Sequence, residues 1–186
     1  MGREARLADG GAGLAPAEDG WFTVNAADAA WWHSGRFGVD CVFEGAEAEF
    51  EQIGYSLCVL QPGQPSGLYH HETEQEDFLV LAGECLLLIE EQERRLTAWD
   101  FVHCPPGTAH IFVGAGGGPC AIFMAGGRRE GSGITYPRSE LALAHGAGVE
   151  RETDEPAEAY APFARWQPWP REERAGTPDP LRLFGE

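Results

Sequence analysis

Residues 67–84 read GLYHHETEQEDFLVLAGE: a tyrosine, the adjacent pair His70–His71, a run of acids, then an apolar stretch closing on Gly83. On an extended chain successive side chains point to opposite faces, so only one of the two histidines can look inward. His70 shares its face with Glu72, two residues on, whereas His71 points the other way.

The apolar stretch is one of a series. From about residue 37 to 124, runs of four to eight apolar-rich residues recur between glycine or proline punctuation: GVDCVFEG, FEQIGYSLCVL, DFLVLAGECLLLIEE, RRLTAWDFVHCPPG, HIFVGAGGG and PCAIFMAGG. Short strands at this spacing, with no helical pattern between them, predict an all-β sandwich or barrel. The run CLLLI is apolar on both faces, which predicts a strand covered on both sides. A second polar segment, DFVHCPPGTAH (residues 100–110), follows the first by about 25 residues. Its Pro105-x-Gly107 turn fixes the chain direction ahead of His110 and launches it into a strand, with Phe112 on the face of His110 and Ile111 on the other. In a small barrel, inward histidines and carboxylates from different strands can converge on one cation.

Together the two segments resemble the motifs of the cupin superfamily, in the manner of a single conserved-barrel (type 2) member with an altered first motif. Glu76-x6-Gly83 matches the end of the first motif, and Pro105-x-Gly107-x2-His110 matches the second. The resemblance covers roughly residues 50–125, about two fifths of the chain. It implies a double-stranded β-helix, or jelly-roll barrel, whose two motifs supply metal ligands. Trp99 stands where the second motif opens with glycine, and Gly114 where it closes with asparagine; neither position is usually a ligand.

The first motif departs at the ligands, and two registers fit. In one, His70 is the first histidine and Glu72 replaces the second, giving His70, Glu72, Glu76 and His110. In the other, Tyr69 replaces the first histidine at the family's spacing from Gly63, leaving His71, Glu76 and His110. Strand alternation and the poor ligating power of tyrosine favour the first. A His2Glu2 set suits Zn, Fe, Mn or Ni as divalent ions better than Cu(I), and does not choose among them. His103 and Cys104 are adjacent, so one of them faces the interior. His103 is an alternative ligand or outer partner, and Cys104 is by default a small buried hydrophobe. A barrel that has lost its metal would instead keep His70 and His110 as hydrogen-bonded interior residues.

Composition narrows the partners. The chain of 186 residues has 13 basic and 30 acidic side chains, and 13 − 30 = −17. That field repels nucleic acid and anionic membrane surfaces, so neither is expected as a partner. Cysteines at 41, 58, 85, 104 and 120 lack CxxC spacing and read as reduced thiols. No apolar leader and no run of 18 apolar residues is present, so a cytoplasmic protein is expected.

Outside the motifs, residues 1–20 read as a mobile lead-in. Residues 21–136 read as the barrel, preceded by a strand at Trp21–Val24 and a short helix capped by Asn25 and closed near Gly35. Residues 137–186 read as a helical and proline-rich arm. One helix runs from Ser139 as N-cap to Gly146, and a second has Thr153 as N-cap. The remainder, RWQPWPREERAGTPDPLRLF, is too rich in proline for a regular element. Trp166 and Trp169 in that arm need a surface, on their own barrel or a neighbour's. With the N-terminal strand they suggest a homodimer. The resemblance implies a metal-dependent enzyme, such as a dioxygenase or isomerase, acting on a small molecule in the barrel. The alternatives are a non-catalytic small-molecule-binding or metal-sensing barrel, and an interaction scaffold.

Overall fold

The apolar runs become strands in the computed structural model, which describes residues 2–174. β1 (Leu7–Asp9) and β2 (Leu14–Pro16) form a hairpin, followed by β3 (Ala30–His33), β4 (Val39–Val42) and β5 (Ile53–Leu60). The segment 67–84 supplies β6 (His71–Glu72) and β7 (Glu76–Ala82), and Gly83 turns the chain into β8 (Glu84–Ile89). Then come β9 (Gln92–Thr97), β10 (Phe101–Cys104), β11 (His110–Ala115), β12 (Cys120–Gly127) and the short β13 (Ile134–Thr135). Two helices, α1 (Glu140–Ala144) and α2 (Pro156–Ala159), precede β14 (Gln167–Pro168) and α3 (Arg171–Arg174).

A seven-stranded antiparallel sheet, ordered β10-β7-β12-β5-β4-β3-β14, faces a three-stranded sheet, β11-β8-β9. Phe78, Val80, Cys58 and Ile122 of the larger sheet meet Phe112, Leu87 and Cys85 of the smaller in one interior core. This is the all-β jelly-roll barrel expected from the spacing of the runs. The outward residues of the large sheet, Trp31, Cys41, Val59 and Ala121, form a second core against Val24, Ala26 and Trp169. Leu88, Ile111 and Val113, on the outside of the small sheet, pack on Tyr69, Ala142 and Ala147. Both faces of the CLLLI strand are therefore covered, as its composition requires.

Several local expectations are corrected. Within residues 1–20, read as a mobile lead-in, residues 7–16 pair as the β1–β2 hairpin, with Ala5 and Ala12 buried. Trp21–Val24 is not a strand; Trp21 makes one bridge to Glu4, and Phe22 stacks on Phe50. The helix expected after Asn25 stops at a single turn, in which the Asn25 side chain accepts from the Ala27 amide. The chain then extends as β3, because extension buries Trp31 against Cys41 and Val59, a larger apolar gain than another helical turn offers.

Ser139 caps α1 as expected, its Oγ accepting from the Ala142 amide at 3.0 Å, and Gly146 follows with φ +67°. The second helix starts later than expected. Pro156 sets its first position, Glu155 is the N-cap, and Thr153 bonds instead to the Glu155 amide and the Glu158 carboxylate. The proline-rich arm contains regular elements after all. Gln167–Pro168 adds an edge strand to β3, and Arg171–Arg174 makes one helical turn; residues 175–186 lie outside the described residues. Both tryptophans find their own barrel: Trp166 stacks on Phe37, and the Trp169 amide donates to the Trp31 carbonyl.

Gly83 makes the β7–β8 turn at φ +74°, where a Cβ would lie 2.3 Å from the Pro119 carbonyl oxygen. Gly83→Ala is therefore expected to lower the urea midpoint by the equivalent of about 2 kcal/mol or more. Gly117→Ala, with open space around it, should stay within about 0.5 kcal/mol of the wild type.

Candidate metal centre

Two backbone hydrogen bonds decide which histidine looks inward. The His110 amide donates to the His70 carbonyl at 2.8 Å and the His70 amide donates to the His110 carbonyl at 3.2 Å. A reciprocal antiparallel pair places the two side chains on one face of the sheet. Their rings sit 5.2 Å apart between centroids. His71, one residue on, faces the other way and pairs in register with Thr135.

Glu76 arrives from the first residue of β7, and its Oε2 lies 3.5 Å from His110 Nε2. One ligating atom from each of His70, Glu76 and His110 falls within 4.8 Å of the other two. Each imidazole is oriented by the backbone: His70 Nδ1–H donates to the Leu68 carbonyl at 2.7 Å, and His110 Nδ1–H donates to the Thr108 carbonyl at 2.9 Å. Because a carbonyl can only accept, the proton sits on Nδ1 in both rings and Nε2 carries the free lone pair. A carbonyl on the far nitrogen is the usual way a protein fixes the tautomer of a metal-binding histidine. Phe78, 5.1 Å from the His110 ring and 4.8 Å from Phe112, walls the site on its core side.

Burial sets the charge state. It is the main cause that brings the His70 imidazole down to about 4, with His110 and His71 adding to it, and burial also lowers His110. Burial and then the neighbouring Glu72 push the Glu76 carboxyl up to about 8. Without a cation, then, the cluster is two neutral imidazoles and a carboxylic acid. A divalent ion would restore the carboxylate by supplying the opposing charge.

The other sequence candidates fall elsewhere. Glu72 lies outside the convergent set but lines the same barrel cavity as Glu76, and burial raises its carboxyl against the opposing pull of Arg128. Tyr69 is buried in the outer core beside Leu88 and Ile111, and its hydroxyl accepts from the Glu91 amide. His103 is half-exposed on the outer face and bonds Asp77 at 2.7 Å, while Cys104 fills the interior core; the inward member of that pair is the cysteine. One interior residue was missed. Asp40 sits inside a strand read as plain apolar sequence, and it lines the cavity with Glu72 and Glu76. An acid amid Val39, Cys41 and Val42 is itself unusual, since aspartate is depleted in strands.

The cavity has a volume of about 350 Å³ and opens between β4, β5, β7 and β12, with Met124 and Phe78 on its wall and Arg128 and Glu44 paired at its edge. Its size is within the range of small-molecule sites.

Residues 56–126 match the family model for the cupin domain. Among solved structures, a predicted oxalate decarboxylase from Thermotoga maritima superposes with a TM-score of 0.51 at 20% identity, over 57% of this chain and 99% of that one. A cupin-superfamily sugar phosphate isomerase from Silicibacter pomeroyi is 26% identical over 52% of this chain and 62% of its own, with a TM-score of 0.45. This chain thus covers less than two thirds of that protein. A cupin 2 conserved barrel domain protein from Salinispora arenicola is 21% identical over 53% of this chain and 82% of its own, with a TM-score of 0.46. No curated protein matches the sequence. The matched residues run from within β5 to within β12, and no described helix is long and apolar enough to cross a membrane.

The raised Glu76 carboxyl makes a linkage prediction for metal-free protein. Folded Glu76 holds its proton to about 8, whereas an unfolded glutamate releases it near ~4.3. Its contribution to stability is complete below the unfolded value and is lost as pH rises through the folded one. Glu76→Gln should therefore gain stability relative to the metal-free wild type as pH rises from 5 to 9 in urea titrations. Parallel profiles would remove Glu76 from the buried cluster.

Proposed function

We propose that the cupin domain of this chain is a metal centre acting on a small molecule held in the barrel cavity, with His70, Glu76 and His110 holding a divalent Zn, Fe, Mn or Ni ion. The observation that carries this reading is the convergence of the three ligating atoms, with both Nε2 lone pairs left free by the backbone bonds at Nδ1. Three protein ligands leave coordination positions open, which favours a reactive centre over a closed structural one. Such an ion would supply Lewis acidity toward an oxygen of the bound molecule. The chain's own residues supply the rest: Glu76 offsets the ion's charge, Phe78 and Met124 keep water from one wall, and Glu72 can hold or accept a proton at the cavity surface. The reaction belongs to the small-molecule chemistries that cupin barrels host, and a non-catalytic sensing or binding barrel is the alternative.

Protein expressed without a metal-affinity tag is expected to carry about one divalent ion per chain by elemental analysis. His70→Ala and His110→Ala should each lower metal affinity by about 10–100-fold or more, while His71→Ala and His103→Ala leave it unchanged. Equal losses from His70→Ala and His71→Ala would overturn the ligand set. Full occupancy with no exchangeable position on the ion would favour the sensing alternative.

A further inference from the structure

The cavity contains a polar group that the metal-centre reading does not use. Among the described residues, Asp40 Oδ1 is the only buried side-chain oxygen or nitrogen without a hydrogen-bond partner. Its place in the sheet is fixed by register. Asp40 on β4 lies directly opposite Cys58 on β5, and Cys58 belongs to the interior core, while neighbouring Cys41 faces the outer one. The carboxyl therefore looks into the barrel, where it lines the same cavity as Glu72 and Glu76. Burial lifts the group to about 7, against the opposing pull of the Cys58 thiol. Three inter-strand steps separate β4 from β7, and the register sets Asp40 in line with Val80, four residues along that strand from Glu76, so the two carboxyls stand well apart on the cavity wall. Between them is room for a molecule of several heavy atoms.

A carboxyl oxygen in this position costs stability, because it has given up water without gaining a partner. Strand propensity does not favour it either, since valine and threonine are enriched in strands and aspartate is depleted. The surrounding groups are also one-sided in kind, acceptors and carboxyls with no spare cation among the described residues. Asp40, Glu44, Glu72 and Glu76 line the cavity, and the sole basic side chain there, Arg128, is already bonded through its guanidinium to Glu44. Among the described residues, no free cationic group on the wall is available to receive an anion.

We propose that Asp40 is the specificity residue of this cavity: it receives the hydrogen-bond donor, an ammonium or a hydroxyl, of a small neutral or cationic molecule, and the cavity refuses anions at that end. Because rotation about the Cβ–Cγ bond of aspartate is soft, an entering donor can capture Oδ1 without moving the strand. The assignment rests on the metal-centre reading for where the ligand's other end goes. The contact with Asp40 itself needs no metal.

The test uses ethanolamine, glycerol and glycolate as probes, titrated calorimetrically or by NMR into metal-free and zinc-loaded protein. Ethanolamine or glycerol is expected to bind the metal-free wild type, and glycolate is not. Asp40→Asn and Asp40→Ser should each weaken that binding at least tenfold with the urea transition and zinc content retained. Binding of glycolate by metal-free protein as strong as that of ethanolamine would overturn the proposal. So would unchanged affinity in both Asp40 variants, or no binding of either donor probe at millimolar concentration. Loss of zinc from the Asp40 variants would also overturn it, by assigning Asp40 to the metal centre. Loss of zinc affinity in His70→Ala alone leaves the donor-binding result standing, so the two readings fail separately.

Discussion

A pair of reciprocal backbone hydrogen bonds, His70 to His110 and back, is the constraint on which the site depends. It joins the two sequence segments that carry the polar residues and ties the start of β6 to the start of β11. It also fixes side-chain direction, because a one-residue slip would send His70 out and bring His71 in. With that register held, the rest follows by alternation. Glu72 shares the inward face, the Pro105–Gly107 turn delivers the chain at His110, and Glu76 begins the strand alongside. The carbonyls of Leu68 and Thr108, each two residues before its histidine, then set the tautomer. Geometry and protonation are thus decided by the backbone, which side-chain substitution disturbs least.

The electrostatics follow from where that register places the groups. Two imidazoles and a carboxyl are withdrawn from water with no permanent cation facing them, so each prefers its neutral form. A neutral cluster is tolerable in the fold and poised for an ion, since binding a divalent cation makes the charged carboxylate favourable. The chain's acidic surface, with a net charge of −17, adds a field that draws cations toward the molecule. Inside the barrel the lining is carboxyl-rich as well, through Asp40 and Glu72, though burial raises both.

Much of this was legible in the sequence, for physical reasons that differ by region. The barrel strands were readable because period-2 alternation and glycine punctuation are local properties, and the two motifs fixed which strands carry polar residues. His70 could be preferred over His71 from alternation with Glu72. Which of them faces in depended on a long-range pair, His70 with His110, that no local pattern contains. Glu72 reads as a fourth ligand because it shares the face of His70, and the structure sets its carboxylate on the cavity wall outside the three convergent atoms. The Asn25 region misled because a good helix cap was outweighed by the burial of Trp31 against Cys41 and Val59, contacts that no local pattern shows. Asp40 was passed over because one acid in an apolar run resembles a solvated edge charge until the fold turns it inward.

The central claim is that three named atoms meet at one ion, and anomalous diffraction addresses it most directly. Data collected on crystals of the untagged protein above and below the absorption edges of zinc, nickel, iron and manganese would locate and identify the ion. The account predicts a single strong peak about 2.0–2.2 Å from His70 Nε2, His110 Nε2 and a Glu76 carboxylate oxygen. A peak bonded to His71, or a fully loaded crystal with no peak between His70 and His110, would contradict it.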